Sequence, residues 1–228
     1  MKCIVPLAGP DLISDRYGLR PLVDVGGAPL LKRTIGERAW AVGASSEDYV
    51  FVVRDVGGLE PLTSYIAGAW PGARVVKLST LTGGAMLSAL AGAAYSERNQ
   101  PIVIDLADMM FRGEGCLPKA DWDAGVGGIV PCFKADDPAY SYVRRRSGEV
   151  VETAEKRVIS NEASAGVYAF SDPGTFLAAA AHSMKHYDTL VHGGMLFVCP
   201  MMNGVLAQGM RVLAPSAGTV VPIGKNFH

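Results

Sequence analysis

Between residues 2 and 108 the chain alternates short β-branched runs with longer helical segments, and few architectures accept that rhythm. KCIVPLA reads as a strand. In PLLKRTIGERAWAVG, which follows, Leu31, Ile35, Ala39 and Val42 recur at helical spacing. DYVFVVRD (48–55) is a second strand, LEPLTSYIAGAW a helix and ARVVKLS a third strand. GGAMLSALAGAAYSE is a small-residue helix that begins just after Thr82-Gly83-Gly84, and PIVIDLAD (101–108) is an apolar strand ending in carboxylates. Strand and helix in strict turn predict a mostly parallel sheet with helices on both faces.

After about residue 125 the texture changes. GGIVPCFKA, YSYVRRR, EVVETAE and ASAGVYAF are strand-like runs separated by polar turns, which predicts an added antiparallel portion beside the parallel sheet. DPGTFLAAAAHSMKHY reads as a helix with Asp172 as N-cap and Pro173 at the first position. A helix over 198–208 and a strand in RVLAPS follow. Without a repeat, a low-complexity tract or a linker, residues 1–228 are expected to form one domain, a size that suits a single α/β unit.

Composition narrows the function classes. Hydrophobic residues make up 49% of the chain and charged residues 19%, enough for a large core. The formal net charge is −1, so no overall field draws the chain to nucleic acid or anionic lipid. No apolar run has the length of a membrane span, and the N-terminal stretch breaks at Pro6 and Gly9 as a core strand does. The four cysteines form no CxxC pair; lone thiols suit a reducing cytoplasm, the expected location.

In open parallel sheets ligands bind beyond the carboxyl ends of the strands. That rule singles out residues 9–20 after the first strand, residues 81–85 at a helix start, and residues 105–108. Asp108 is suited to hold a hard divalent cation that also meets phosphate. Asp105 or Asp108 is equally suited to capping the turn that follows.

These segments, in this order, resemble the sugar-phosphate nucleotidyltransferases, or NDP-sugar pyrophosphorylases, and in particular small bacterial members of capsule and polysaccharide type. IVPLAG and RPLVDVGGAPLL resemble the family's opening strand and signature segment. LTGGAMLSALA resembles its base-binding turn, and PIVIDLADMMF its metal-binding strand. ETAEKRVISNEASAGVYAF is the most specific match. The resemblance spans nearly the whole chain and implies a Rossmann-like, GT-A-like fold. It also implies transfer of a nucleoside monophosphate from an NTP to a sugar 1-phosphate or related phosphate, with release of pyrophosphate, for surface polysaccharide. By resemblance Leu7, Ala8, Gly9, Thr82, Gly83, Gly84 and Ala85 bind the nucleotide, and Asp108 holds Mg²⁺. Glu155, Lys156 and Gly166 meet the phosphorylated substrate, and Arg16, Arg20 and Lys156 are the basic catalytic groups. The implied partners are an NTP and a small phosphorylated substrate, without nucleic acid or membrane, and a homo-oligomer is compatible with the sequence.

The chain also departs from the family's pattern. Pro10 and Asp11 follow Gly9 where the family loop is richer in glycine. Pro10 removes an N–H donor, and Asp11 adds negative charge where phosphate is expected. Arg20 stands where the family usually has Lys, Gly83 where relatives often have Glu, and Met195 roughly where many have a second metal-holding acid. Two rival readings follow: a binding protein of the same fold without turnover, and a glycosyltransferase that uses an NDP-sugar. Elsewhere, Arg144, Arg145 and Arg146 read as a solvated strand end, because strand neighbours point to opposite faces. His182 and His186 read as a polar helix face rather than a zinc pair, and Met195, Met201 and Met202 as core packing on the last helix.

Overall fold

The computed structural model describes residues 1–117, 122 and 125–223. Its centre is a seven-stranded sheet built on β1 (Lys2–Pro6), β4 (Tyr49–Arg54), β5 (Arg74–Leu78) and β6 (Ile102–Asp105). β1 runs parallel to β4 and β6, and β4 parallel to β5. On the other side, β12 (Val167–Phe170) pairs antiparallel with β6 and β7 (Val126–Ile129), and β13 (Arg211–Leu213) lies parallel to β7 at the edge. Ile13–Ser14 and Gly18–Leu19 form a short hairpin, β2–β3.

The inner stretches of the central strands, Cys3–Val5 and Tyr49–Val53, are continuously apolar because both faces are covered. Cys3, Val5, Phe51, Val53 and Val103 point into one core, with Leu31 and Ile35 of α1 (Leu30–Ile35) and Leu62 and Ile66 of α2 (Glu60–Ala69). Ile4, Val50, Val52, Ile102 and Ile104 point into the other. That side is covered by α3 (Ala85–Ala93), α4 (Pro173–Lys185) and α6 (Met201–Ala207). The expected class, a mostly parallel α/β sheet with helices on both faces and an antiparallel addition, is what forms. No helix among the described residues is long and apolar enough to cross a membrane.

The antiparallel addition is a four-stranded sheet in the order β10 (Glu149–Ala154), β9 (Tyr142–Arg146), β11 (Glu162–Ser164), β8 (Cys132–Lys134). Two runs that read as single strands are each split between the sheets. GGIVPCFKA breaks at Pro131, which lacks the N–H a continuing ladder needs, into β7 and β8. ASAGVYAF breaks at Gly166, whose φ of 76° turns the chain from β11 into β12.

The first helix is shorter than its spacing predicts. α1 ends at Ile35 with Gly36 as its cap, Arg38 is extended, and Ala39–Gly43 forms a separate 3₁₀ turn, leaving Val42 exposed. The cause is Arg38, whose side chain is drawn inward to a buried partner described below. The arginine run behaves as expected on a strand end: Arg144 pairs with Glu152, and Arg145 with Glu162.

Asp172 caps α4. Its Oδ1 accepts the Thr175 N–H at 3.0 Å, and its Oδ2 accepts the hydroxyls of Thr175 at 2.7 Å and Ser171 at 2.8 Å. Asp172→Ala is expected to lower stability by about 1–2 kcal/mol, read by urea denaturation. A change below about 0.3 kcal/mol would show that the cap is dispensable.

Candidate functional site

The loop after β1, the loop between β5 and α3, and the turn after β6 meet above the carboxyl ends of the parallel strands. They enclose a cavity of about 310 Å³. Leu7, Ala8, Gly9, Arg20, Thr82, Gly84, Ala85, Asp108 and Lys156 all line it. Residues separated by most of the chain thus line one cavity. Arg16, Gly83, Glu155 and Gly166 do not line the cavity. Arg16 is exposed in the β2–β3 hairpin, its guanidinium carbon 4.9 Å from the Tyr17 ring centroid. Glu155 accepts a hydrogen bond from the Ser141 hydroxyl. Gly166 sits beneath the wall, its carbonyl accepting the Leu106 N–H at 3.0 Å.

The aspartate that ends β6, Asp105, and the one in the turn after it, Asp108, have separate tasks. Asp105 is buried, 1% exposed, and grips Arg38, also 1% exposed. Arg38 Nε donates to Asp105 Oδ2 at 2.9 Å and Nη2 to Oδ1 at 3.1 Å, while Nη1 donates to the Phe111 carbonyl at 2.9 Å. The guanidinium also lies 3.9 Å from the Phe111 ring centroid. Asp105 Oδ1 accepts the Ala107 N–H at 3.0 Å, which holds Ala107 in the left-handed region at φ 56°. The next residue, Asp108, then faces the cavity, 30% exposed.

Arg20 bridges two carboxylates. Nη1 pairs with Asp11 and Nη2 with Asp108, and the arginine side chain is 12% exposed. Its Nε–H is buried with no acceptor among the described residues. Lys156, at φ 47° just after β10, has its Nζ 5.3 Å from the Phe197 ring centroid and pairs with no carboxylate among the described residues. The charged lining residues are thus Asp11, Asp108, Arg20 and Lys156, whose formal charges cancel.

The segment before α6 closes the cavity. Leu196 N–H donates to the Gly83 carbonyl at 2.7 Å, and Met86 N–H donates to the Leu196 carbonyl at 3.2 Å. This docks residues 192–197 on the start of α3 and brings Met195 and Phe197 into the wall. Met195 is therefore a cavity residue, 36% exposed, and not part of the last helix as its company with Met201 and Met202 suggests. Gly84 permits this contact: its φ is 120°, and a β-carbon there would lie 2.2 Å from the Leu196 oxygen.

Other candidate groups are excluded on physical grounds. All four cysteines are free and buried. Burial pushes the Cys3, Cys132 and Cys199 thiols well up, and Cys116 upward as well, which removes thiolate chemistry. His182 and His186 lie with ring centroids 4.4 Å apart, their planes tilted by 39°, but no group of three or more potential metal ligands gathers among the described residues. A metal cage made wholly of protein is therefore not built from them. Asp108, partly exposed on the cavity wall, fits a hard cation that takes one or two carboxylates and completes its shell with phosphate.

No protein-family model matches the sequence, and no curated protein sequence is detectably similar to it. Solved structures share its fold. A nucleoside-diphosphate-sugar pyrophosphorylase from Vibrio cholerae aligns at TM-score 0.80 with 19% identity, over 100% of this chain and 99% of its own. An inositol-1-phosphate CTP transferase from T. maritima aligns at TM-score 0.66 with 15% identity, over 96% and 86%. A UDP-glucose pyrophosphorylase complexed with UDP-glucose aligns at TM-score 0.68 with 16% identity, over 99% and 95%. These structural neighbours are nucleotidyltransferases, and the likeness is one of fold over the entire chain.

Proposed function

We propose that this chain is a nucleotidyltransferase that moves a nucleoside monophosphate from an NTP to a sugar 1-phosphate or a related phosphate. The observation that carries this reading is the convergence of the β1 loop, the Thr82–Ala85 turn, Asp108 and Lys156 on one cavity. In this reading a phosphate oxygen of the acceptor attacks the α-phosphorus. The bond from that phosphorus to the bridging oxygen breaks, and pyrophosphate leaves. Thr82, Gly84 and Ala85 contact the base, the backbone of 7–9 runs under the nucleotide, and Lys156 neutralises the acceptor phosphate. Arg20 supplies charge stabilisation at the triphosphate, and the apolar wall of Leu81, Met195 and Phe197 limits access of water. Asp108 would hold Mg²⁺ jointly with the nucleotide phosphates, and the ion would neutralise charge there. The product would serve surface polysaccharide synthesis, in a chain acting in the cytoplasm.

A second reading has its own observation. Arg20 is already engaged by Asp11 and Asp108, which favours a binding protein that holds a nucleotide or sugar phosphate without turnover. One assay separates the two. Purified protein is incubated with Mg²⁺, a panel of sugar 1-phosphates, and ATP, GTP, CTP, UTP or dTTP labelled at the α-phosphorus. A labelled NDP-sugar with unlabelled pyrophosphate supports catalysis. Saturable binding of a nucleotide or a sugar 1-phosphate without product supports the second reading, and binding of neither, checked for the sugar 1-phosphates by calorimetry, overturns both.

A further inference from the structure

Asp11 occupies an unusual position for an acidic side chain. It is the middle residue of the 3₁₀ turn Pro10–Leu12, directly after the loop that resembles a nucleotide cradle. Its carboxylate folds back over Gly9, so closely that a β-carbon on Gly9 would lie 2.4 Å from Asp11 Oδ1. The other oxygen, Oδ2, pairs with Arg20 Nη1. Pro10, at the start of the same turn, offers no N–H to an anion. The first wall of the cavity thus carries its own anion over its own glycine, held by the cation that would otherwise meet phosphate.

Resting on the nucleotide reading, we infer that Asp11 is a specificity-determining residue: a built-in stand-in for substrate phosphate on Arg20. A ligand gains the Arg20 guanidinium only by displacing the Asp11 carboxylate, which then remains beside the incoming phosphate as a like charge. That penalty grows with the number of phosphate charges brought in. The charges on the lining residues cancel, so no surplus cation offsets it. The cavity therefore selects the diphosphate ester of a nucleotide sugar over the free triphosphate of the same base. In Asp11→Asn the side chain keeps its shape and its oxygen can still accept from Arg20, but the carboxylate charge is gone, which leaves Asp108 as the anion paired with Arg20 among the described residues.

The test is titration calorimetry of the full chain without Mg²⁺, with ATP, GTP, CTP, UTP and dTTP and the corresponding nucleoside diphosphate glucoses. Wild type is expected to bind the diphosphate ester more tightly than the triphosphate. Asp11→Asn is expected to tighten the triphosphate by about tenfold or more, and the ester by about threefold or less. Asp11→Ser repeats the comparison with a smaller side chain that preserves the turn, and thermal unfolding of both variants confirms the fold. A triphosphate affinity within about twofold of wild type in both variants would overturn the inference while leaving the nucleotide reading intact, and so would equal gains for both ligands. If no nucleotide binds wild type or either variant, the functional reading falls and this inference falls with it.

Discussion

Arg38→Met is expected to cost about 3–5 kcal/mol of stability, a large fraction of the roughly 5–15 kcal/mol that holds a typical domain folded. Both members of the Arg38–Asp105 pair are 1% exposed. Removing the arginine leaves a buried carboxylate with only the Ala107 N–H at 3.0 Å among its described hydrogen-bond partners, and it orphans the Phe111 carbonyl. The loss is to be read as a lowered midpoint in urea denaturation. Arg38→Met with Asp105→Leu should recover part of it, because a buried ion pair replaced on both sides can be nearly neutral. Recovery should be incomplete, since Asp105 also holds Ala107 at its positive φ. A single-variant cost below about 1 kcal/mol would mean that the pair does not brace the turn that presents Asp108.

Gly84→Ala is expected to cost a further class of several kcal/mol, about 3–5, through two additive effects. The backbone at φ 120° is strained for any L side chain, and the new β-carbon would collide with the Leu196 oxygen at 2.2 Å and its nitrogen at 2.7 Å. These are backbone atoms that cannot rotate aside. The segment 192–197 must lift, breaking its hydrogen bonds to Gly83 and Met86 and withdrawing Met195 and Phe197 from the cavity. Thermal unfolding should fall well below wild type, and residues 192–197 should become open to limited proteolysis. Gly83→Ala is the control: its β-carbon meets only the Leu87 Cδ1 at 3.3 Å, the end of a flexible side chain. A cost under about 1 kcal/mol is expected there. Equal losses at the two glycines would contradict the proposed collision.

Much of the fold was legible because period and polarity dictate it. The runs IVPLA, YVFVV and IVI are apolar at every position, as expected of strands in a sheet covered on both faces. Strand ends were less legible. Pro131 and Gly166 each cut one apolar run into two strands of different sheets, and local sequence carries no mark of which sheet follows. Arg38 offered a signal that went unused. It falls three residues after Ile35 on the apolar face of the projected helix, and Asp105 lies inside an apolar strand. Two opposite charges at core positions call for each other, since neither can be buried alone. That pairing also tells Asp105 from Asp108, which spacing alone left equal.

The candidate site was legible as a set of loops, less so as a set of contacts. Beyond their family spacing, Lys156 and Glu155 are neighbours in sequence, yet only Lys156 faces the cavity, because the chain turns at its positive φ just after β10. The Asp11–Arg20–Asp108 bridge joins side chains 9 and 88 residues from Arg20. No periodicity links such distant positions. Met195 reached the cavity through the backbone pairing of Leu196 with Gly83, a contact made by main-chain atoms that side-chain identity does not encode.

On the proposed reading this cavity binds a nucleotide with Asp108 at its phosphate end. Titration calorimetry of wild type and Asp108→Ala with ATP, GTP, CTP, UTP and dTTP, each with and without Mg²⁺, tests it most directly. Saturable binding of at least one triphosphate to wild type, tightened by Mg²⁺, is expected. In Asp108→Ala the Mg²⁺ effect is expected to vanish, and affinity in its presence to drop by about tenfold or more. Triphosphate binding that responds to Mg²⁺ equally in both proteins, or no binding to wild type under any condition, would contradict it.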